Sequence, residues 1–285
     1  MKIVSFGPAG HEKPGAIHGD HIVDLTAADP SLPGTVRGII EADAIPRIAN
    51  LLHEASDLDD KCLVPLYGVR LGPPVTNPSK IICLGLNYKD HAAEQKKNVP
   101  EQPLLFAKAP SCLIGNGDPI PIPQDVEKLD HEVELAFVIG KKAKGIPLQN
   151  AADYIAGYSV FMDISARDVQ FRDKQWFRGK SYDGFGPFGP YLTTADEVSD
   201  PHNLKISMDV NGKTMQSSNT GQMTFQVLYL VHHISHSMTL EAGDVIATGT
   251  PSGVGVFASP QRFLQKNDVL TATIDCLGTL NNPVV

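Results

Sequence analysis

Glu132 and Glu134 stand two positions apart in the segment Asp130-His131-Glu132-Val133-Glu134-Leu135-Ala136-Phe137-Val138-Ile139-Gly140. In an extended strand, residues i and i+2 project from the same face, so these carboxylates lie side by side. Burying such a pair uncompensated is costly. A hard divalent cation removes that cost, because oxygen donors suit Mg²⁺, Mn²⁺ or Ca²⁺. Taken alone, the segment also fits an edge strand with a solvated acidic face. A third carboxylate, Asp163, follows the apolar run Ile155–Met162 and tips the balance toward the cation. If the chain turns helically there, Asp163, Arg167 and Gln170 share one face at i, i+4 and i+7, bringing together a ligand, a cation and an amide. Three carboxylates on one cation leave positions open for water and substrate, as a catalytic metal requires.

A proton carrier is suggested by Asn87-Tyr88-Lys89-Asp90-His91-Ala92-Ala93-Glu94. On one helical turn Glu94 neighbours His91 and can orient and polarise its imidazole. The adjoining polar run, Gln95-Lys96-Lys97-Asn98, has few residues able to anchor it, so the turn is expected at the surface as a mobile lid. Two other motifs carry less. Gly184-Phe185-Gly186-Pro187-Phe188-Gly189 matches GxGxxG, but a polar, charged stretch precedes it, and Pro187 and Pro190 rule out a helix directly after it. A dinucleotide fingerprint needs a buried strand before it and a helix after it. His232 and His236 stand four apart with no catalytic Glu between them, which leaves them on a partly solvated helix face.

The elements that must position these groups are mainly strands. Short strands are predicted at Lys2–Phe6, 16–17 and 22–25, with a turn at Gly19-Asp20. Further strands are predicted at 81–84, 132–139, 155–164, 204–210, 245–247 and Val269–Ile274, and Asn211-Gly212 signals a hairpin returning through 213–216. Helices are predicted at 36–54, with Pro46 interrupting, and at 224–238, where Val227, Val231, Ile234 and Met238 recur at intervals of three and four. The proline-rich segment 71–80 marks the expected boundary between a small N-terminal α/β module, residues 1–70, and a larger catalytic domain, residues 71–285. Many strands and few helices indicate a β-rich α+β fold rather than a doubly wound sheet.

Of the chain's 285 residues, 24 are Lys or Arg and 32 are Asp or Glu, giving a net charge of −8 without any basic block. That balance argues against nucleic acid or an anionic membrane as partner. No apolar run approaches the roughly 20 residues that span a bilayer, and a Gly/Pro break stands where an export signal needs its apolar core. The four cysteines, Cys62, Cys83, Cys112 and Cys276, form no CxxC pair and are expected to be reduced and mostly buried. These features lead to the expectation of a soluble cytoplasmic protein.

Several spaced motifs occur in order: Asn87-Tyr88-x-x-His91-x-x-Glu94, Pro103-x-x-Phe106-x-Lys108, Glu132-x-Glu134, Asp163-x-x-x-Arg167-Asp168-x-Gln170, Gly179-Lys180-Ser181, and Gly243-Asp244-x-Ile246-x-Thr248-Gly249-Thr250-Pro251-x-Gly253. The series resembles the fumarylacetoacetate hydrolase superfamily over residues 78–275. The opening, Phe6-Gly7-Pro8 and Glu12-Lys13-Pro14-Gly15, resembles the subgroup acting on 2,4-dioxo sugar acids. The resemblance implies a mixed β-sandwich roll and a homodimer, the commonest soluble assembly. It implies Glu132, Glu134 and Asp163 as ligands of Mg²⁺, with Mn²⁺ or Ca²⁺ as alternatives. It also implies His91 and Glu94 as a lid dyad activating water, Lys180 as the lysine near the metal, and Gln170, Thr250 and Arg167 on the substrate. The extra acidic ligand of the founding hydrolase has no equivalent placed in this sequence. The expected reaction is hydrolytic cleavage of the C3–C4 bond of a 2,4-dioxo acid, acylpyruvate or sugar-acid type, to pyruvate and a second acid. The alternative use of the same site is oxaloacetate decarboxylation, or isomerisation or hydration of an unsaturated 2-oxo diacid. All of these pass through an enolate.

Overall fold

The apolar stretch after Glu132 forms the strand Val133–Ile139, buried at every position, inside a large mixed sheet. A strand covered on both faces reads as an unbroken hydrophobic run, not an alternation. The structure, a computed structural model, describes residues 1–53 and 59–285. Val133–Ile139 pairs antiparallel with Ile155–Met162 on one side, in the register Val133 to Met162. On its other side it pairs antiparallel with Val245–Ala247, which runs parallel to Ile81–Gly85, itself antiparallel to Leu104–Lys108. Beyond Ile155–Met162 lies Gly186–Thr194, to which the N-terminal strand Lys2–Phe6 is hydrogen-bonded, followed by Lys13–His18 and His21–Asp24.

A second, four-stranded antiparallel sheet is built from Lys205–Val210, Lys213–Asn219, Val269–Ile274 and Gly278–Pro283. It packs across Ile155–Met162 and Gly186–Thr194, and the alternating burial of Val269–Ile274 shows one face turned to that core. The fold is therefore strand-rich α+β with two sheets face to face. The Asn211-Gly212 hairpin forms as expected, both residues having positive φ (54° and 75°), which the tightest two-residue turns require.

Two local expectations are corrected. The helix expected at 36–54 is two helices, Val36–Glu41 and Ile45–His53, separated at Asp43, whose φ is 51°. Pro46 does not cause the break; it sits in the first turn of the second helix, where its missing N–H has no helical partner in any case. Glu54 lies outside the described residues. The helical turn expected from Asp163 also starts later: Ser165–Ala166 pairs with Leu129–Asp130 as a short ladder, and the helix runs Arg167–Asp173. Asp163 thus shares no helix face with Arg167. The ladder claims the backbone first. Helix 224–238 is shorter than expected, at Val227–Ser237. All four cysteines are free, and Cys62, Cys83 and Cys112 are buried.

Candidate metal and proton-transfer site

Register alone brings the three carboxylates together. Asp163 follows the end of Ile155–Met162, opposite the start of Val133–Ile139, and its N–H donates to the Glu132 carbonyl at 2.9 Å. Glu134, one pleat further along, lies beside the chain leaving Val245–Ala247 and accepts the Gly249 N–H at 2.8 Å. One oxygen from each of Glu132, Glu134 and Asp163 lies within 4.8 Å of the others, and the residues are 6%, 1% and 0% exposed. The edge-strand reading is therefore excluded, since these carboxylates are not solvated.

Cations surround the cluster unevenly. Lys180, on the short helix Phe177–Lys180, donates to Asp163 at 2.6 Å and Glu132 at 2.8 Å. Lys108, at the end of Leu104–Lys108, donates to the other Asp163 oxygen at 2.6 Å. Arg167 bridges Asp130 at 2.8 Å and Glu132 at 2.6 Å, and also donates to Gln170 at 3.1 Å. Burial raises the Glu132 carboxyl, but Lys180 and Arg167 outweigh it and hold the group well below the usual carboxylate range. Burial depresses the Lys180 ammonium, and Asp163 and Glu132 more than restore it. Glu134 is the exception. Burial pushes its carboxyl up, and the neighbouring Asp163 and Glu132 charges push it further. Among the described residues it has one backbone donor and no ion-pair partner. A buried carboxylate so short of positive charge, within an all-oxygen donor set, fits a hard divalent cation.

The candidate proton carrier, His91, is buried rather than exposed, while Lys96, Lys97 and Asn98 after it lie at the surface as expected. Helix Lys89–Glu94 buries His91 and Ala92. Asp90 accepts the His91 N–H at 2.8 Å and the Ser218 hydroxyl at 2.6 Å. At the helix root, the Asn87 amide donates to Thr248 O at 2.8 Å and accepts from Phe225 N at 2.8 Å. His91 Nδ1 meets Glu94 Oε2 at 3.0 Å, while Glu94 Oε1 accepts the Gly253 N–H at 2.9 Å. A carboxylate only accepts, so Nδ1 carries the hydrogen and Nε2 presents its lone pair, capped by the Gln95 amide at 2.7 Å.

One narrow cavity of about 90 Å³ unites these parts. His91, Glu132, Arg167, Gln170, Lys180 and Thr250 line it. Glu94 stands behind His91, and Glu134 and Asp163 complete the acidic cluster beneath the wall. Trp176, Phe106 and Phe257 supply the apolar side. The Thr248-Gly249-Thr250 turn is locked by Thr248 Oγ1 on Leu135 O and Thr250 Oγ1 on Val133 O, both at 2.9 Å. Gly249 has φ 91°, and a Cβ there would press on Leu84 O at 3.1 Å.

Four contributors were not singled out for a role from sequence: Lys108, Asp130, Gln216 and Gln95. Lys108 stood inside a quoted motif, and Asp130 opened the acidic segment. Gln216, from the strand Lys213–Asn219, accepts Val133 N at 3.0 Å and donates to Thr250 Oγ1 at 2.8 Å; no local pattern marks it. The two motifs set aside have other uses. Gly186 and Gly189 of the GxGxxG run lie in the strand Gly186–Thr194, while His232 and His236 bond the Ile146 and His232 carbonyls, both at 2.7 Å.

Comparison with known proteins shows the family and agrees with the fold. The family model described as fumarylacetoacetate (FAA) hydrolase C-terminal matches residues 80–285. A mitochondrial oxaloacetate tautomerase of Xenopus laevis is 47% identical over 270 residues, covering 94% of this chain and 83% of that one. A fumarylacetoacetate hydrolase structure from Exiguobacterium antarcticum superposes with a TM-score of 0.85 at 38% identity, covering 100% of this chain and 99% of the other. The maleylpyruvate hydrolase of Sphingobium sp. SYK-6, solved with manganese(II) and pyruvate, gives 0.82 at 32% identity, with coverage of 100% and 99%. The cytoplasmic expectation is corrected: the Xenopus relative, and those of rat and human, are named mitochondrial. Free thiols do not separate the cytoplasm from that compartment.

Proposed function

Because the chain belongs to the fumarylacetoacetate hydrolase family, we propose that it is a divalent-metal-dependent tautomerase interconverting the enol and keto forms of a small 2-oxo diacid, oxaloacetate foremost. The observation that carries this is His91 on the wall of the cavity that Glu132 and Lys180 also line, with Glu94 on its Nδ1 and its Nε2 held by the Gln95 amide rather than by an acid. The 47% identity to an oxaloacetate tautomerase supports it further. Tautomerisation moves one proton between the 2-oxygen and C3 and consumes neither water nor an oxidant.

Glu132, Glu134 and Asp163 would hold the cation, Mg²⁺ or Mn²⁺. A cation bound there would supply Lewis-acid charge to the oxygens of the substrate. The protein's own groups do the rest. Thr250 and Gln170 orient the acid, and Arg167, already committed to Asp130 and Glu132, keeps the wall rigid. His91 accepts the proton at Nε2 and returns it to the enolate, while Glu94 stabilises the transient imidazolium. Lys180 lends positive charge where the enolate oxygen develops. Gln95 has to release Nε2 before substrate can use it.

The hydrolytic reading, 2,4-dioxo acid to pyruvate, uses the same groups with His91 activating water. It is supported less well, since the two hydrolases of solved structure are 38% and 32% identical, against 47% for the tautomerase. Loss of enol absorbance on adding the protein with Mg²⁺ or Mn²⁺ tests the tautomerase, beside a pyruvate assay on acylpyruvates and on oxaloacetate. Enol decay no faster than in buffer would sink it.

A further inference from the structure

Two of the three cations lining the cavity, Arg167 and Lys180, are committed to buried carboxylates. The third, Lys97, is exposed at the rim and has no carboxylate partner among the described residues. Its place is set by backbone, not by chance side-chain reach. Helix Lys89–Glu94 ends with Lys96 N–H on Ala93 O and Lys97 N–H on Ala92 O, both at 3.0 Å, and Lys96 lies in the left-handed region at φ 53°. This paired capping pattern reverses the chain after the helix. A side chain other than glycine pays conformationally for that geometry, and the two capping hydrogen bonds offset the cost. The reversal returns Lys97 to the cavity that His91 and Gln95 also line. A 2-oxo acid whose carboxylate and 2-oxygen were held at the acidic cluster would leave its far end to meet an unpaired cation of the same cavity.

We propose that Lys97 recognises the distal carboxylate and so selects 2-oxo diacids over 2-oxo monoacids. This rests on the tautomerase reading above and adds the source of its substrate choice. An ammonium on an exposed stem contributes little in open solvent, but more once a bound substrate and the apolar wall exclude water from the pair.

The test compares enol-to-keto kinetics on oxaloacetate and on its 4-methyl ester, which keeps the skeleton, removes the distal charge and adds one methyl group. With Mg²⁺ present, the full chain should prefer the diacid in kcat/KM by about tenfold or more, an ordinary size for a charge-reading contact. Lys97→Met should reduce that preference to within about threefold, chiefly through a higher KM for the diacid, and Lys97→Arg should keep it. If the unmodified protein converts oxaloacetate but shows no preference, or Lys97→Met retains the full preference, the role of Lys97 is refuted and the tautomerase stands. If it converts neither compound, the tautomerase reading falls, and this inference with it.

Discussion

Glu94 divides its two oxygens between His91 and Gly253: Oε2 takes the imidazole Nδ1 at 3.0 Å, and Oε1 takes the Gly253 N–H at 2.9 Å. One carboxylate therefore orients the imidazole and ties its helix to the loop after Thr250. The helix is short, so this tie and the Asp90–Ser218 bond hold it where an isolated turn would fray.

His91→Ala and Glu94→Ala should each slow turnover by about two to four orders of magnitude, the range for losing a general base or its partner. The double variant should be little worse than either single, because the pair acts as one unit. Steady-state rates of the three proteins decide this, and multiplicative losses would place the proton carrier elsewhere, with Lys180 the next candidate. All three should still bind Mn²⁺ in a calorimetric titration.

Glu134→Ala should abolish cation binding and activity while leaving the fold intact, since it removes an oxygen donor from a three-carboxylate site. Calorimetry with Mn²⁺ and far-ultraviolet circular dichroism read the two effects separately. Glu134→Gln should melt higher than the unmodified protein when both are stripped of cations at neutral pH, by roughly 2–4 °C per kcal/mol of repulsion relieved. The sign comes from the raised carboxyl of Glu134. An acid whose folded-state pKa lies above its unfolded value loses stability as pH rises through that window, so at neutral pH the charged form is the costly one.

Gln216→Leu should raise KM more than it lowers kcat, because it releases Thr250 without touching His91. It should also cost about 1–3 kcal/mol of stability by leaving the Val133 N–H buried without a partner. Substrate titration and chemical denaturation check the two halves. An unchanged KM would show that the Thr250 turn holds itself.

Arg70 clamps the first β-loop to the body of the sheet, donating to Gly7 O at 3.1 Å, Glu12 at 2.9 Å and Asp118 at 2.6 Å. Burial raises the Asp118 carboxyl, but the Arg70 and Gly115 hydrogen bonds pull it below its ordinary 3.8. A depressed acid contributes stability above its unfolded pKa and loses it as pH falls through the folded one. Asp118→Asn should therefore cost about 1–2 kcal/mol near neutral pH. The difference from the unmodified protein should shrink steadily below about pH 4, as denaturation midpoints measured at several pH values will show.

The local patterns were legible in the amino-acid sequence because each is decided by neighbours a few positions apart. The apolar run after Glu132, the Asn211-Gly212 hairpin and the His91–Glu94 turn formed where expected, as did the convergence of Glu132 and Glu134. Pro46 misled because proline breaks a helix interior yet suits its first turn. Asp163 reached the cluster by strand register, not by the helical face that its spacing with Arg167 suggested. Tertiary structure alone decided the rest. Lys108 meets Asp163 across 55 positions, Gly249 meets Glu134 across 115, and Gln216 meets Val133 across 83. Such contacts depend on which strands pair and in what register, which the buried faces of the two sheets settle together. The burial of His91 belongs with them. A polar sequence suggested an exposed lid, but the partners that pin it, Ser218 and Gly253, come from distant parts of the chain.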